Sequence, residues 1–183
     1  MAISTIFFDI GGVLLDIHPQ RTINFWAVNS GQTPEQAKQS YPLPLHNKYE
    51  SGRLSETKFF EEIRQAWPRE TPISKSHFWQ GWQLLLGEES KAVEILKLLS
   101  KSYSIWLLSN TNPRHIEELN EKASFMPFVS GTIYSYEAGC RKPDLEIFEY
   151  ALKQACVSGN EAVFIDDLKI NIQTAQMTGM HGI

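Results

Sequence analysis

Two cysteines, Cys140 and Cys156, are all that the sequence contains. So few give no disulfide framework, and with no Cys/His cluster around either they offer no thiolate metal site, so they read as two reduced thiols. Positive charge is short as well: 17 Lys and Arg against 21 Asp and Glu leave a net charge of −4, which removes the basic footprint of a nucleic-acid binder. No apolar run is long enough to cross a bilayer. Met1-Ala2-Ile3-Ser4 lacks the basic start of a secretory signal. A cytoplasmic protein with neither a membrane nor a nucleic-acid partner is expected. Internal repeats and low-complexity tracts are absent too. What remains is an ordinary globular mixture, 42% hydrophobic and 21% charged over 183 residues. That is enough for one domain, or one with a modest insert, to bury most of its apolar surface. Oligomeric state is not legible in it.

Four short apolar runs punctuate the chain: Ile3–Phe8, Ile105–Leu108, Gly131–Tyr134 and Ala162–Ile165. Runs of this length read as buried strands of a parallel sheet. Helical spacing fills the later intervals, over Ser90–Leu99, over Asp144–Ala155 behind Pro143, and over Lys169–Met177 before Gly179. Strands alternating with helices predict an α/β, doubly wound parallel sheet. Residues 17–87 break the rhythm. They hold no convincing strand, and helices are expected near Pro19–Asn29, Pro34–Ser40, Ser55–Trp67 and Ser74–Leu86, with prolines 42, 44, 68 and 72 marking turns. The expected division is an α/β core of residues 1–16 and 88–183 with a small helical cap, 17–87, inserted after the first strand. Trp26, Trp67, Phe78, Trp79 and Trp82 lie in that insert and read as its core.

Polar clusters follow the strand runs: Asp9-Ile10-Gly11-Gly12, Ser109-Asn110-Thr111-Asn112, Arg141-Lys142-Pro143 and Asp166-Asp167. A parallel sheet gathers such clusters at its carboxyl edge, where open α/β sheets bind ligands. Three carboxylates meeting there repel one another unless a cation joins them. A hard ion such as Mg²⁺ takes oxygen ligands and keeps room for a phosphate oxygen. Asp9, Asp167 and a backbone carbonyl would hold it, Lys142 would balance the remaining charge, and Ser109 would donate to the phosphate. Taken singly, each cluster has a plainer reading: Asp9 as a turn residue, Ser109-Asn110 or Asp166-Asp167 as helix starts, and Lys142 as a surface lysine.

Together, in this order and spacing over nearly the whole chain, the four clusters resemble the motifs of the haloacid dehalogenase (HAD) superfamily. The Asp-Ile-Gly-Gly-Val-Leu, Ser-Asn-Thr-Asn and Arg-Lys-Pro-Asp wording is most similar to the branch containing bacterial glucose-1-phosphate phosphatases. The resemblance implies a Rossmann-like core with a helical cap and Mg²⁺-dependent hydrolysis of a small phosphorylated metabolite, such as a sugar phosphate. It implies an aspartyl-phosphate intermediate on Asp9, with Lys142 catalytic and Ser109, Asn110 and Lys142 on the substrate phosphate. The metal would sit on Asp9, the Gly11 carbonyl and Asp167, and Asp166 and Asn171 would support the site.

One position departs from the pattern. Most phosphatases of the superfamily carry a second Asp two residues after the nucleophile, as general acid and base, and here Gly11 stands there. General acid–base help is typically worth ~10²–10⁴-fold in rate. Asp16, His18 or a residue of the insert could replace it, and the spacing selects none. Two alternatives stay open: a 2-haloacid dehalogenase on the same fold, against which the acidic pair Asp166-Asp167 argues, and a non-catalytic binding homologue, which Gly11 favours.

Overall fold

The computed structural model describes residues 2–183. The chain begins with β1 (Thr5–Phe8) and a short β2 (Leu15–Ile17). Five helices follow: α1 (Pro19–Ser30), α2 (Pro34–Ser40), α3 (Leu43–Glu50), α4 (Glu56–Ala66) and α5 (Lys75–Gln83). Then come β3 (Leu86–Glu89), α6 (Ala92–Leu99), β4 (Ser104–Ser109), α7 (Pro113–Lys122), β5 (Gly131–Tyr134), α8 (Ser135–Ala138) and α9 (Leu145–Ala155). The chain closes with β6 (Ala162–Ile165), α10 (Lys169–Met177) and β7 (His181–Gly182).

Two compact units account for this chain. The first gathers the segment ending at Asp16, Glu50–Gly52 and Glu88–Ile183. Its five strands lie in the order β5-β4-β1-β6-β7, and every pairing is parallel. Strand succession therefore runs outward from β1 in one direction through β4 and β5, then restarts on the other side with β6 and β7. That reversal is the doubly wound arrangement, and the crevice at its switch point lies beside β1 and β6. Phe7, Leu108, Ile133 and Phe164 of the strands bury against Ile147, Phe148 and Ala151 of α9 and Ala175 of α10. The three inner strands, β4, β1 and β6, are apolar because both faces are covered.

Glu50–Gly52 belongs with this unit although it falls inside the stretch read as insert. Gly52 has φ +67°, and any Cβ there would collide with the Tyr136 carbonyl oxygen, so only glycine permits the approach. The Glu50 carboxylate takes a 2.8 Å bond from the Arg141 guanidinium.

The second unit comprises Ile17–Tyr49 and Arg53–Gly87. Its core is aromatic: Trp26, Tyr49, Phe59, Phe78, Trp79 and Trp82 are all buried. Tyr49 stacks on Phe59 with ring centroids 4.4 Å apart, and Trp26 on Phe78 at 5.0 Å. Local signals set the helices. The Thr33 hydroxyl and the Gln36 side chain form a reciprocal capping box on α2, and Ser55 and Ser74 cap α4 and α5.

Several elements differ from the sequence expectation. The insert was read as strandless, yet its two roots are the strands β2 and β3, which pair as a second sheet. Their sequences, Leu-Asp-Ile and Leu-Gly-Glu-Glu, hold no β-branched run. α3 occupies a stretch where Pro42 and Pro44 suggested turns. Pro44 sits in its first helical turn, where a missing N–H costs nothing. α7 also went unread, because only His115, Ile116 and Leu119 are buried on an otherwise polar helix. No helix among the described residues is long and apolar enough to cross a membrane.

Candidate active site

The carboxyl ends of β1, β4 and β6 converge on one buried cluster. Register puts it there: Phe8 pairs with Leu107 on one side and with Ile165 on the other. Asp9, one residue past β1, donates its N–H to the Ile165 carbonyl at 2.9 Å. Asp166 then continues β6 alongside it. Asp9, Ser109, Lys142 and Asp166 are all buried.

Lys142 reaches the cluster through the stretch after β5. α8 ends in the left-handed Gly139, and Asn110 then grips the Lys142 peptide at both ends. The Asn110 amide donates to the Lys142 carbonyl, and its carbonyl oxygen accepts from the Lys142 N–H, both at 2.8 Å. The Lys142–Pro143 peptide is cis. The ammonium, about as buried as any group in the protein, lies 2.9 Å from Asp9 Oδ1 and 2.6 Å from Asp166 Oδ2. A buried cation held between two carboxylates is costly to disrupt, because removing it strands two buried charges.

Asp166 is saturated. Lys142 Nζ and Asn171 Nδ2 donate to its Oδ2, and Asn171 Nδ2 and the Leu168 N–H donate to its Oδ1. Asp9 is not. Its bonds, from the Ile10 N–H at 2.7 Å and from Lys142, both fall on Oδ1. The second oxygen takes neither bond. Burial pushes the Asp9 carboxyl above its ordinary range, Asp166 adds to that, and Lys142 opposes it.

Asp167 is exposed, and it closes on the turn after β1. That turn hangs on the Ile10 carbonyl, which accepts from Val13, Leu14 and Leu15. Gly12 has φ +86°, and a Cβ built on it would lie 2.6 Å from Asp167 Oδ2. Gly12 is therefore required twice over, for its backbone and for the space Asp167 occupies. The Gly11 carbonyl takes no part in the backbone bonds of this turn among the described residues.

One oxygen from each of Asp9, Asp166 and Asp167 lies within 4.8 Å of the others. Three carboxylates against one lysine leave two negative charges uncompensated, which suits one divalent cation. Oxygen-only donors suit a hard ion such as Mg²⁺. Ser109 ends β4 beside this group, and its hydroxyl makes no hydrogen bond among the described residues.

Of the residues singled out from sequence, Asp9, Ser109, Lys142, Asp166 and Asn171 are buried at this sheet edge, and Asp167 and Gly11 border it. The Asn110 side chain, expected on a phosphate, bonds the Lys142 peptide at both ends. Asp16 is exposed on β2 and makes no hydrogen bond or ion pair with Asp9, Lys142 or Asp166. Ser135 was missed. Its hydroxyl bonds both the N–H and the carbonyl of Thr111, tying the loop after β4 to the end of β5. A lone serine after a strand carries no sequence signal for that.

Comparison with known proteins finds relatives over nearly the whole chain. A family model described as haloacid dehalogenase-like hydrolase matches residues 3–179. D-ribitol-5-phosphate phosphatase of Bacteroides thetaiotaomicron is 27% identical over 97% of this chain and 89% of its own length. A HAD family enzyme of the same bacterium, solved in complex with magnesium and inorganic phosphate, superposes with a TM-score of 0.87 at 25% identity, covering 100% of this chain and 93% of that one. L-2-haloacid dehalogenase from Xanthobacter autotrophicus shares the fold at a TM-score of 0.71 and 17% identity, over 98% of this chain and 76% of that one.

Proposed function

From the premise that the chain belongs to the haloacid dehalogenase-like hydrolases, we propose that it is a cytoplasmic, Mg²⁺-dependent phosphatase of a small phosphorylated metabolite, with Asp9 as nucleophile. The observation that carries this reading is Asp9 itself. One of its oxygens is pinned by Ile10 and Lys142 while the other is left unengaged, beside two further carboxylates.

The unengaged Asp9 oxygen attacks phosphorus in line, and the bond from phosphorus to the substrate oxygen breaks. The alcohol leaves and takes up a proton. Water then attacks the acyl phosphate on Asp9, the new phosphorus–oxygen bond replaces the one to Asp9, and the carboxylate is restored. Splitting the transfer in two is nucleophilic catalysis. The Lys142 ammonium neutralises charge on the carboxylates and on the phosphoryl group, and the Ser109 hydroxyl donates to a phosphoryl oxygen. Asn110 sets Lys142 in place, and Asp166, locked by Asn171, fixes the direction of the ammonium. Magnesium on Asp9, the Gly11 carbonyl and Asp167 would add positive charge at the transferring group.

Gly11 leaves the leaving group without a dedicated proton donor, so solvent supplies the proton. Slow turnover of alkyl phosphates and faster turnover of aryl phosphates follow. The relative named for D-ribitol 5-phosphate makes phosphorylated sugars and polyols the first class to test. Phosphate release from such a panel with Mg²⁺ is expected for the wild type and not for Asp9→Asn. Chloride release from 2-chloropropionate unaffected by EDTA, with no phosphate released from any ester, would overturn the assignment.

A further inference from the structure

One buried ion pair takes no part in the proposed chemistry. Glu50 is 6% exposed, and glutamate is almost never buried unless it is paired. The Arg141 guanidinium donates to its carboxylate at 2.8 Å. We propose that Glu50 is a positioning residue: acting through Arg141, it holds Lys142 in place against Asp9 and Asp166. The consequence for turnover rests on the phosphatase reading, whereas the consequence for Lys142 does not.

Arg141 immediately precedes Lys142, in a segment between α8 and α9 that is neither helix nor strand. The Asp144 N–H donates to the Arg141 carbonyl at 2.8 Å, which closes a four-residue turn around Lys142 and Pro143. That bond is internal to the turn. Ties to more distant parts of the chain come from Asn110, on the Lys142 peptide, and from Glu50, on the Arg141 side chain. One tie leaves a turn free to rock about it, and a second on the neighbouring residue stops the rotation. Lys142 has little latitude, because its ammonium lies 2.9 Å from Asp9 Oδ1 and 2.6 Å from Asp166 Oδ2. A displacement of about 1 Å in such a group can cost roughly 10²-fold in rate.

Glu50 is itself braced. A Cβ on Gly52 would lie 2.2 Å from the Tyr136 carbonyl oxygen, and Tyr136 belongs to α8, the helix that leads into the Arg141 turn. Segment Glu50–Gly52 therefore meets the chain on both sides of Gly139, at Tyr136 by close packing and at Arg141 by charge. Arg141 makes no other ion pair among the described residues.

The pair is lopsided, which separates positioning from stability. The Glu50 side chain is 8% exposed and that of Arg141 26%. Removing Arg141 would strand a buried carboxylate, at a large cost to the fold. Removing the Glu50 carboxylate leaves a cation that can turn to water. Glu50→Met, similar in length and without charge, is therefore the informative variant.

Amide hydrogen exchange of the full chain, followed residue by residue by NMR, tests this together with turnover of p-nitrophenyl phosphate in Mg²⁺. In Glu50→Met the Lys142 N–H, which Asn110 holds, should exchange roughly tenfold faster or more, while the amides of β1 and β6 keep their wild-type rates. kcat should fall roughly tenfold or more with KM within about twofold, as for an interaction realised in the transition state. Glu50→Gln, which can still accept a bond from Arg141, should lie between wild type and Glu50→Met in both readouts. Gly52→Ala keeps both charges but pushes the segment off Tyr136, and should change both readouts in the same direction. Wild-type exchange at Lys142 in Glu50→Met, exchange raised by the same factor along β1 and β6, or an unaltered kcat beside a loosened Lys142 would overturn the proposal. A wild type that releases no phosphate would refute the phosphatase reading instead, and exchange at Lys142 would still decide the role of Glu50.

Discussion

At the scale of single residues, the site is a balance of charges in which each group holds another in place. Lys142 joins Asp9 and Asp166. Lys142→Ala strands both carboxylates, and is expected to lower unfolding free energy by about 3–5 kcal/mol in urea denaturation while abolishing turnover. Gly12→Ala acts differently. Its Cβ displaces the exposed Asp167, which can move, so the fold should lose only about 1–2 kcal/mol to the left-handed backbone while the magnesium needed for half-maximal rate rises at least tenfold. Gly11 is free of a positive φ, so an acid can be installed there: Gly11→Asp should raise turnover of alkyl phosphates by roughly tenfold or more. The same variant should leave p-nitrophenyl phosphate nearly unchanged, because that leaving group needs no proton. The charged members of the cluster were legible because a buried carboxylate or lysine at a strand end demands a reason. The backbone bonds made by Asn110 and Ser135 were not, because they go to peptides distant in sequence, and no residue pattern marks such a target.

Elements form here from local signals wherever those signals are strong. The runs at β5 and β6 appear with the bounds that their apolar stretches suggested, and α10 covers the periodic stretch Lys169–Met177. Elements with a thin apolar face or held by pairing alone, such as α7 for the first and β2 and β3 for the second, escaped the pattern. α7 begins at Pro113 with the Asn112 side chain accepting from the His115 N–H. Asn112→Ala is expected to cost about 1 kcal/mol, read as a fall in the urea midpoint. Helix propensity alone would predict that Gly81→Ala stabilises α5. Yet a Cβ at Gly81 would collide with the buried Trp26 indole on α1. Destabilisation of about 1–3 kcal/mol is therefore expected, and a raised melting temperature would show that α1 and α5 are not packed this closely.

For the whole molecule, five parallel strands and their switch point gather residues as far apart as Asp9 and Asp167. That convergence was readable from the order of the motifs, whereas the grouping of Glu50–Gly52 with the first unit shows only in space, as Gly52 against the Tyr136 carbonyl oxygen and Glu50 on Arg141. Binding to the folded state alone adds stability, about 2.7 kcal/mol at a hundred times the dissociation constant. Magnesium should therefore raise the melting temperature of the wild type and leave that of Asp9→Asn almost unmoved. The most direct measurement is calorimetric titration of Mg²⁺ into the wild type, Asp9→Asn and Asp167→Asn. One site on the wild type, weakened at least tenfold by either substitution, is the predicted result. Magnesium binding equally well to all three proteins would contradict a cation shared by these carboxylates.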